Sequence, residues 1–238
     1  MLEKRFGGCK TRSRYLSGRV SLSLLLSILA LAMVVGGRVA RADDLNVGGS
    51  YPMMYVNEGG SNTNVYSGGG SITVSSLDGV TLQYLYCVAI SIDISVPGDY
   101  NDTTVYKNGV VNGAAVNNDA EIAWLVDNYG VAAEGNTTLE SALQLAIWHE
   151  EYGYGAGSAN TLAVKSAYAT DTTGVGTAAL SSVDWFSPGQ SGGNGYYVNG
   201  TPVQGLVGNS APVPEPTSIL LLGGVLLMVG RGLRRKLA

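Results

Sequence analysis

Apolar residues are spaced along this chain in three rhythms. From Val20 to Val35 they form one dense run, VSLSLLLSILALAMVV. In SITVSSLDG and VTLQYLYCVAISIDI, β-branched and aromatic residues alternate with others, the rhythm of strands, and Cys87 falls inside the second. VPGDY then breaks the strand. Farther on the spacing changes to three and four. EIAWLVDNYG predicts a helix capped by Asn118 or Asp119 and stopped by Gly130. TTLESALQLAIWHEE predicts a second, opened by a capping box of Thr137 with Glu140. In it Leu139, Ala142, Leu143, Ala146 and Ile147 recur at helical spacing as one buried stripe. NTLAVKSAYAT, from Asn160, predicts a third. AALSSVDWF, NGYYVNG and PVQGLVG then return to strand-like text between Gly and Pro clusters, and GGSNTNVYSGGG near residue 60 reads as a flexible turn or hairpin tip. Strands, helices and strands in that order predict an α+β fold: an antiparallel β-sandwich or barrel-like domain with an inserted helical subdomain.

The two ends are of another kind. A basic region (Lys4, Arg5, Lys10, Arg12, Arg14, Arg19) precedes the apolar run, and Ala40 and Ala42 give a small-x-small cleavage pattern before Asp43. Residues 1–42 are therefore expected to be a signal peptide; at 16 residues its apolar run is shorter than the roughly 20 of a spanning helix. At the other end APVPEP leads into TSILLLGGVLLMVG and then RGLRRKLA. That apolar segment would reach about 21 Å as a helix, and Arg231, Arg234, Arg235 and Lys236 would hold its end in the cytoplasm. Pro214, Glu215 and Pro216, a short apolar helix and an arginine cluster resemble the PEP-CTERM sorting signal of bacterial envelope proteins. The resemblance implies an exosortase that removes the tail and a membrane contact through the helix before processing. A plain C-terminal anchor has the same physical parts. The expected layout is a signal peptide at 1–42, one domain at 43–206, a linker at 207–216, and the apolar helix with its basic tail at 217–238.

Charge changes the picture once the ends are set aside. Between Asp43 and Pro212 the only cations are Lys107 and Lys165, against 16 acidic residues, a net charge of −14. Such a surface repels nucleic acid and anionic lipid, so neither is an expected partner. The domain also offers few amines that could attack an electrophile of its own.

Cys9 lies in the signal segment, so a mature chain carries Cys87 alone. A single thiol in an oxidising compartment makes no intramolecular disulfide. In the second helix Gln144 sits about 130° from the middle of the apolar stripe, a flank position, and the ring of Trp148 lies one turn on. Tyr86 and Cys87 in YCV, then IAWLVDNYG, then Gln144, Ala146, Ile147 and Trp148 in LQLAIWHEE resemble the bacterial thioester domains. That resemblance implies that the Cys87 thiol and the Gln144 amide condense to an internal thioester with loss of ammonia. It also implies that a surface amine or hydroxyl later displaces Cys87 to leave a covalent crosslink. Leu143 stands where many members have threonine, which removes a nearby hydroxyl. PVQGLVG is a softer echo of the same family.

The expected protein is thus an exported surface or matrix adhesin that acts once per molecule, not an enzyme, and needs signal peptidase and exosortase for processing but no cofactor. Gln83 and Gln190 are weaker acyl donors, the first strained along the strand of Cys87 and the second in an unshielded loop. His149 is read as a helix-surface residue and at most a modulator, since on a helix it points about 140° from Gln144. One histidine, one cysteine and scattered carboxylates predict no metal site. A rival of another class is a passive extracellular-polymer or carbohydrate-binding envelope protein, with Trp185, Phe186, Tyr196 and Tyr197 on its loops and a thioester that is absent or only structural.

Overall fold

The computed structural model describes residues 43–189, 197–198 and 200–209. The expected signal peptide with Cys9, Gln190, Tyr196, the Pro214, Glu215 and Pro216 motif, and the apolar tail with Arg234 and Arg235 lie outside the described residues. Among the described residues no helix is long and apolar enough to cross a membrane.

The first half is built of short strands: β1 (Asp43–Val47), β2 (Met53–Asn57), β3 (Val65–Gly68), β4 (Ser76–Leu77), β5 (Val80–Thr81), β6 (Leu85–Cys87), β7 (Gly98–Tyr106), β8 (Val110–Val111) and β9 (Ala114–Ala115). Helices α1 (Asp119–Ala133), α2 (Thr137–Tyr152) and α3 (Leu162–Asp171) follow, with β10 (Gly155–Ala156) between the last two. Strands β11 (Val183–Ser187), β12 (Tyr197–Val198), β13 (Thr201–Pro202) and β14 (Leu206–Asn209) complete the described chain. Seven strands make one antiparallel sheet in the order β5-β4-β1-β7-β11-β14-β6, curled into a half-barrel, and β10-β2-β3 make a smaller sheet. This is an α+β fold with a helical insertion.

Alternation along the strands divides the apolar residues between two cores. Tyr86 and Trp185 join Ile122, Leu143 and Ile147 in one, whereas Cys87 and Phe186 join Leu45, Met54, Leu145 and Trp148 in the other. Helix α2 contributes to both, and its residues from Glu140 to Trp148 are all buried. The single buried stripe read from spacing was too narrow: α2 is wrapped by α1, α3 and the small sheet, so its flanks are interior as well. Trp185 and Phe186, expected on polymer-binding loops, are fully buried in β11, and Tyr197 lies in the β12–β13 hairpin.

Several elements differ from the expected ones for local reasons. SITVSSLDG yields only β4, because Asp78 and Gly79 both take positive φ (50° and 78°) in a two-residue hairpin to β5. VTLQYLYCVAISIDI yields β5 and β6 only, and Cys87 ends its strand. Helix α1 runs through Gly130 to Ala133; a Cβ at Gly130 would lie 2.7 Å from the Tyr84 ring, so this glycine admits a close neighbour and stops nothing. Asn118 precedes α1 in a left-handed conformation without a side-chain cap. For α2 the cap is Asn136, whose Oδ1 accepts from the N–H groups of Thr138 and Leu139, and Glu140 accepts from the Gly135 N–H. Thr137 is thus the first helical residue and not the cap, and Glu140 reaches back to the residue before the cap instead of closing a capping box. The domain also continues beyond 206, since β14 pairs with both β11 and β6.

Candidate functional site

Strand β6 is the edge of the half-barrel, and this position presents Cys87. Leu206 lies opposite Cys87, and the Val88 N–H donates to the Gly205 carbonyl on the β14 side. Backbone groups alternate in direction along a strand, so the N–H and C=O of Cys87 face the open edge. Gln144 meets them there. Its Oε1 accepts from the Cys87 N–H at 2.9 Å, and its Nε2 donates to the Cys87 carbonyl at 2.7 Å. The side-chain amide occupies the place that a further strand would take. A second donor, the Gly70 N–H, reaches the same Oε1 at 2.9 Å.

Gly70 arrives from the small sheet. After β3 the chain leaves its partner β2 and crosses the flank of α2, with the Gly69 N–H donating to the Pro52 carbonyl. Gly69 lies so close that a Cβ on it would sit 2.8 Å from Gln144 Cγ, 2.8 Å from Trp148 Cη2 and 3.1 Å from Gln144 Cδ. Gly70 has φ +100°, which glycine adopts without strain. The segment read as a flexible turn therefore divides into a true turn near residues 58–64, a strand, and a buried glycine pair pressed on the amide.

Gln144 is fully buried and Trp148 nearly so, and Cys87 has 3% of its surface exposed. The flank position expected for Gln144 is thus interior, because Gly69 and Gly70 close over it. Burial pushes the Cys87 thiol up to about 12. The thiol holds its proton at neutral pH and would meet alkylating reagents poorly.

The remaining sequence candidates fall elsewhere. Tyr86, Leu143, Ala146 and Ile147 pack in the other core, behind the strand and helix that carry the pair. Burial raises the Tyr86 phenol well above its ordinary range, with Glu140 reinforcing the shift, and its hydroxyl has no hydrogen-bond partner among the described residues. Gln83 turns outward and donates to Glu134 at 2.6 Å, away from Cys87. His149 is half-buried instead of lying on the surface: its Nδ1 is 2.7 Å from the Tyr154 carbonyl and 3.1 Å from the Tyr168 hydroxyl. With that nitrogen committed to Tyr154, the ring is fixed against α3. Among the described residues no cluster of three or more His, Cys, Asp or Glu could hold a metal ion.

The two N–H donors were not legible in the sequence. Only the doublet Gly69–Gly70 hinted at a close backbone approach. Gly69→Ala is expected to lift this segment and draw the Gly70 N–H off Oε1. Loss of one such donor slows acyl chemistry by about 10²–10³-fold. Gly155→Ala is the control, since its Cβ would meet nothing nearer than 3.8 Å. Whatever bond Cys87 and Gln144 make, its rate of formation after refolding should drop in Gly69→Ala and hold in Gly155→Ala. Equal rates would remove the glycine cover from the chemistry.

Comparison of the chain with family models, with curated proteins and with solved structures finds no match.

Proposed function

We propose that the mature domain carries a Cys87–Gln144 thioester and uses it once, to attach itself covalently to a nucleophile on another surface. The observation that carries this reading is the pair of N–H groups, from Gly70 and Cys87, on Gln144 Oε1. A glutamine amide is a poor electrophile, and two donors on its oxygen are what an acyl substitution needs. Two hydrogen bonds hold the Cys87 backbone to the Gln144 amide, and orienting the thiol of the same residue on Cδ would contribute about 7–11 kcal/mol.

The condensation is balanced within the pair. Cys87 Sγ bonds to Gln144 Cδ, the Cδ–Nε2 bond breaks, and the thiol proton leaves on nitrogen as ammonia. In the capture step an amine or hydroxyl bonds to Cδ, the C–S bond breaks, and the nucleophile's proton passes to Sγ. The product is an amide or ester at position 144 and a free Cys87. One turnover consumes the group, so the domain is a reactive binder and not an enzyme.

Methylamine tests the capture step. Incubation of the folded domain should add one methylamine at position 144 and expose one thiol that is alkylatable after unfolding. If the domain instead keeps its mass and an alkylatable thiol before any amine is added, Gln144 is only a structural pin for β6.

Export and sorting complete the reading, supported by the basic and apolar leader and by Pro214, Glu215, Pro216 and the terminal arginines. The surface form made in its own host is expected to end between Pro214 and Pro216. Recovery of RGLRRKLA peptides from that form would make the tail a retained anchor.

A further inference from the structure

The small sheet that delivers Gly69 and Gly70 has an outer face with no partner among the described residues. Its inner face, Met54 and Val56, is buried in the core. On the outer face Met53 lies opposite Gly68 and Tyr55 opposite Tyr66. The Tyr55 and Tyr66 rings are 4.9 Å apart, and the Tyr51 ring and the Met53 sulfur flank the bare Gly68. Tyr66 is 58% exposed, Met53 44% and Tyr51 39%. Three of the domain's exposed large apolar side chains thus share one strip. Glycines keep it flat: Gly155 stands opposite Asn57, and a Cβ at Gly157 would press on Tyr55 at 2.8 Å.

We propose that this strip docks an uncharged polysaccharide chain and presents one of its hydroxyls to the Gln144 acyl group, a specificity that rests on the thioester reading above. Tyrosine rings offer an apolar face with a polar tip, which matches the C–H face and hydroxyl rim of a sugar ring. Amides border the strip: Asn57 lies on it, and Asn64 pairs with Ser158 beside it. Charge selects among polymers. The strip residues carry none; at its border Glu58 accepts a hydrogen bond from Asn62 at 3.4 Å, and Lys165 donates to the Ser158 carbonyl at 3.1 Å. An ammonium-bearing partner would find no carboxylate on the strip itself, and the −14 charge of the domain disfavours polyanions.

Continuity with the acyl site is the second argument. Gly68 belongs to the strip, and the next residue, Gly69, covers Gln144 Cδ. Adjacent Cα atoms are about 3.8 Å apart, so a chain seated on Tyr51 and Met53 lies beside the cover. A hydroxyl entering beside Gly69 bonds to Cδ, the C–S bond breaks, and the hydroxyl proton passes to Cys87 Sγ. The product is an ester to the glycan.

Affinity electrophoresis of the Cys87→Ala domain isolates docking from chemistry, with mixed-linkage β-glucan and dextran as neutral probes, alginate as polyanion and polylysine as polycation. At least one neutral glucan should retard the domain. Tyr66→Ala and Tyr51→Ala should weaken the apparent affinity about tenfold, Tyr66→Phe should restore it, and Val131→Ala, on an exposed apolar side chain of α1, should leave it unchanged. Retardation by polylysine alone would point to a basic protein partner and overturn the proposal. So would retardation by neither neutral glucan, or retardation that ignores Tyr66 and Tyr51. The thioester is read separately from the wild-type mass. A full mass with Tyr66-dependent glucan binding leaves a passive binder and removes the covalent reading. A mass deficit without glucan binding leaves the thioester and removes the strip.

Discussion

Intact mass of the purified mature domain is expected to fall short of its sequence by one ammonia, and Cys87→Ala or Gln144→Ala should each restore the full value. Both variants should also lose all covalent capture, because each deletes one side of a single bond. Their stabilities should differ. Relative to Cys87→Ala, in which the Gln144 amide stays intact, Gln144→Ala strips partners from the Gly70 N–H and from both backbone groups of Cys87, all at a buried edge. Unsatisfied buried groups cost about 1–3 kcal/mol apiece, so this variant should unfold at much lower denaturant. Cys87→Ala keeps the backbone and hence those hydrogen bonds, and it loses a small side chain. Gln144→Glu separates the roles further, since a carboxylic side chain keeps an acceptor for the two N–H groups but has no amide to displace. A full-mass wild type that yields one alkylatable thiol on unfolding, with no amine added, would sink the bond.

Trp148→Ala should lose its thioester to water. The ring lies against Gly69 together with the Gln144 side chain, one helical turn from the acyl carbon. Its Nε1–H is buried without a hydrogen-bond partner among the described residues, so the ring serves as cover and not as a polar anchor. Removing a buried tryptophan costs about 3–5 kcal/mol, and it opens a path to Cδ. Hydrolysis would leave a glutamate at position 144 and a free thiol, detectable by mass well below the unfolding transition. Trp148→Phe should hold the bond, because an aromatic cover remains and the unpaired N–H is gone. His149→Ala should leave bond formation intact, since its ring is turned to Tyr154 and Tyr168. Loss of the bond in His149→Ala, with a long-lived bond in Trp148→Ala, would reverse the two roles.

The sequence by itself determined the periodic elements and the two partners of the candidate bond. Helix α2 was legible because its apolar spacing and N-terminal signals are local. Cys87 was legible because it is the one cysteine after residue 42, and Gln144 because it stands in LQLAIW one turn before Trp148. Strand lengths were less legible: the Asp78–Gly79 turn cuts β4 short by a local signal, whereas the loss of pairing after Cys87 depends on neighbours far along the chain. The single-stripe reading of α2 failed for the same reason, since spacing reports one packed face and cannot count the layers that later wrap a helix. Tertiary structure alone decided how the amide is held. The donors on Oε1 come from residues 74 and 57 positions away, and both are backbone groups, which leave no mark in residue identity. It also decided that Trp185 and Phe186 are core while Tyr51, Met53 and Tyr66 face outward. Aromatic residues carry the same apolar signal in both settings, and only the register of a strand within its sheet assigns a side chain to one face or the other.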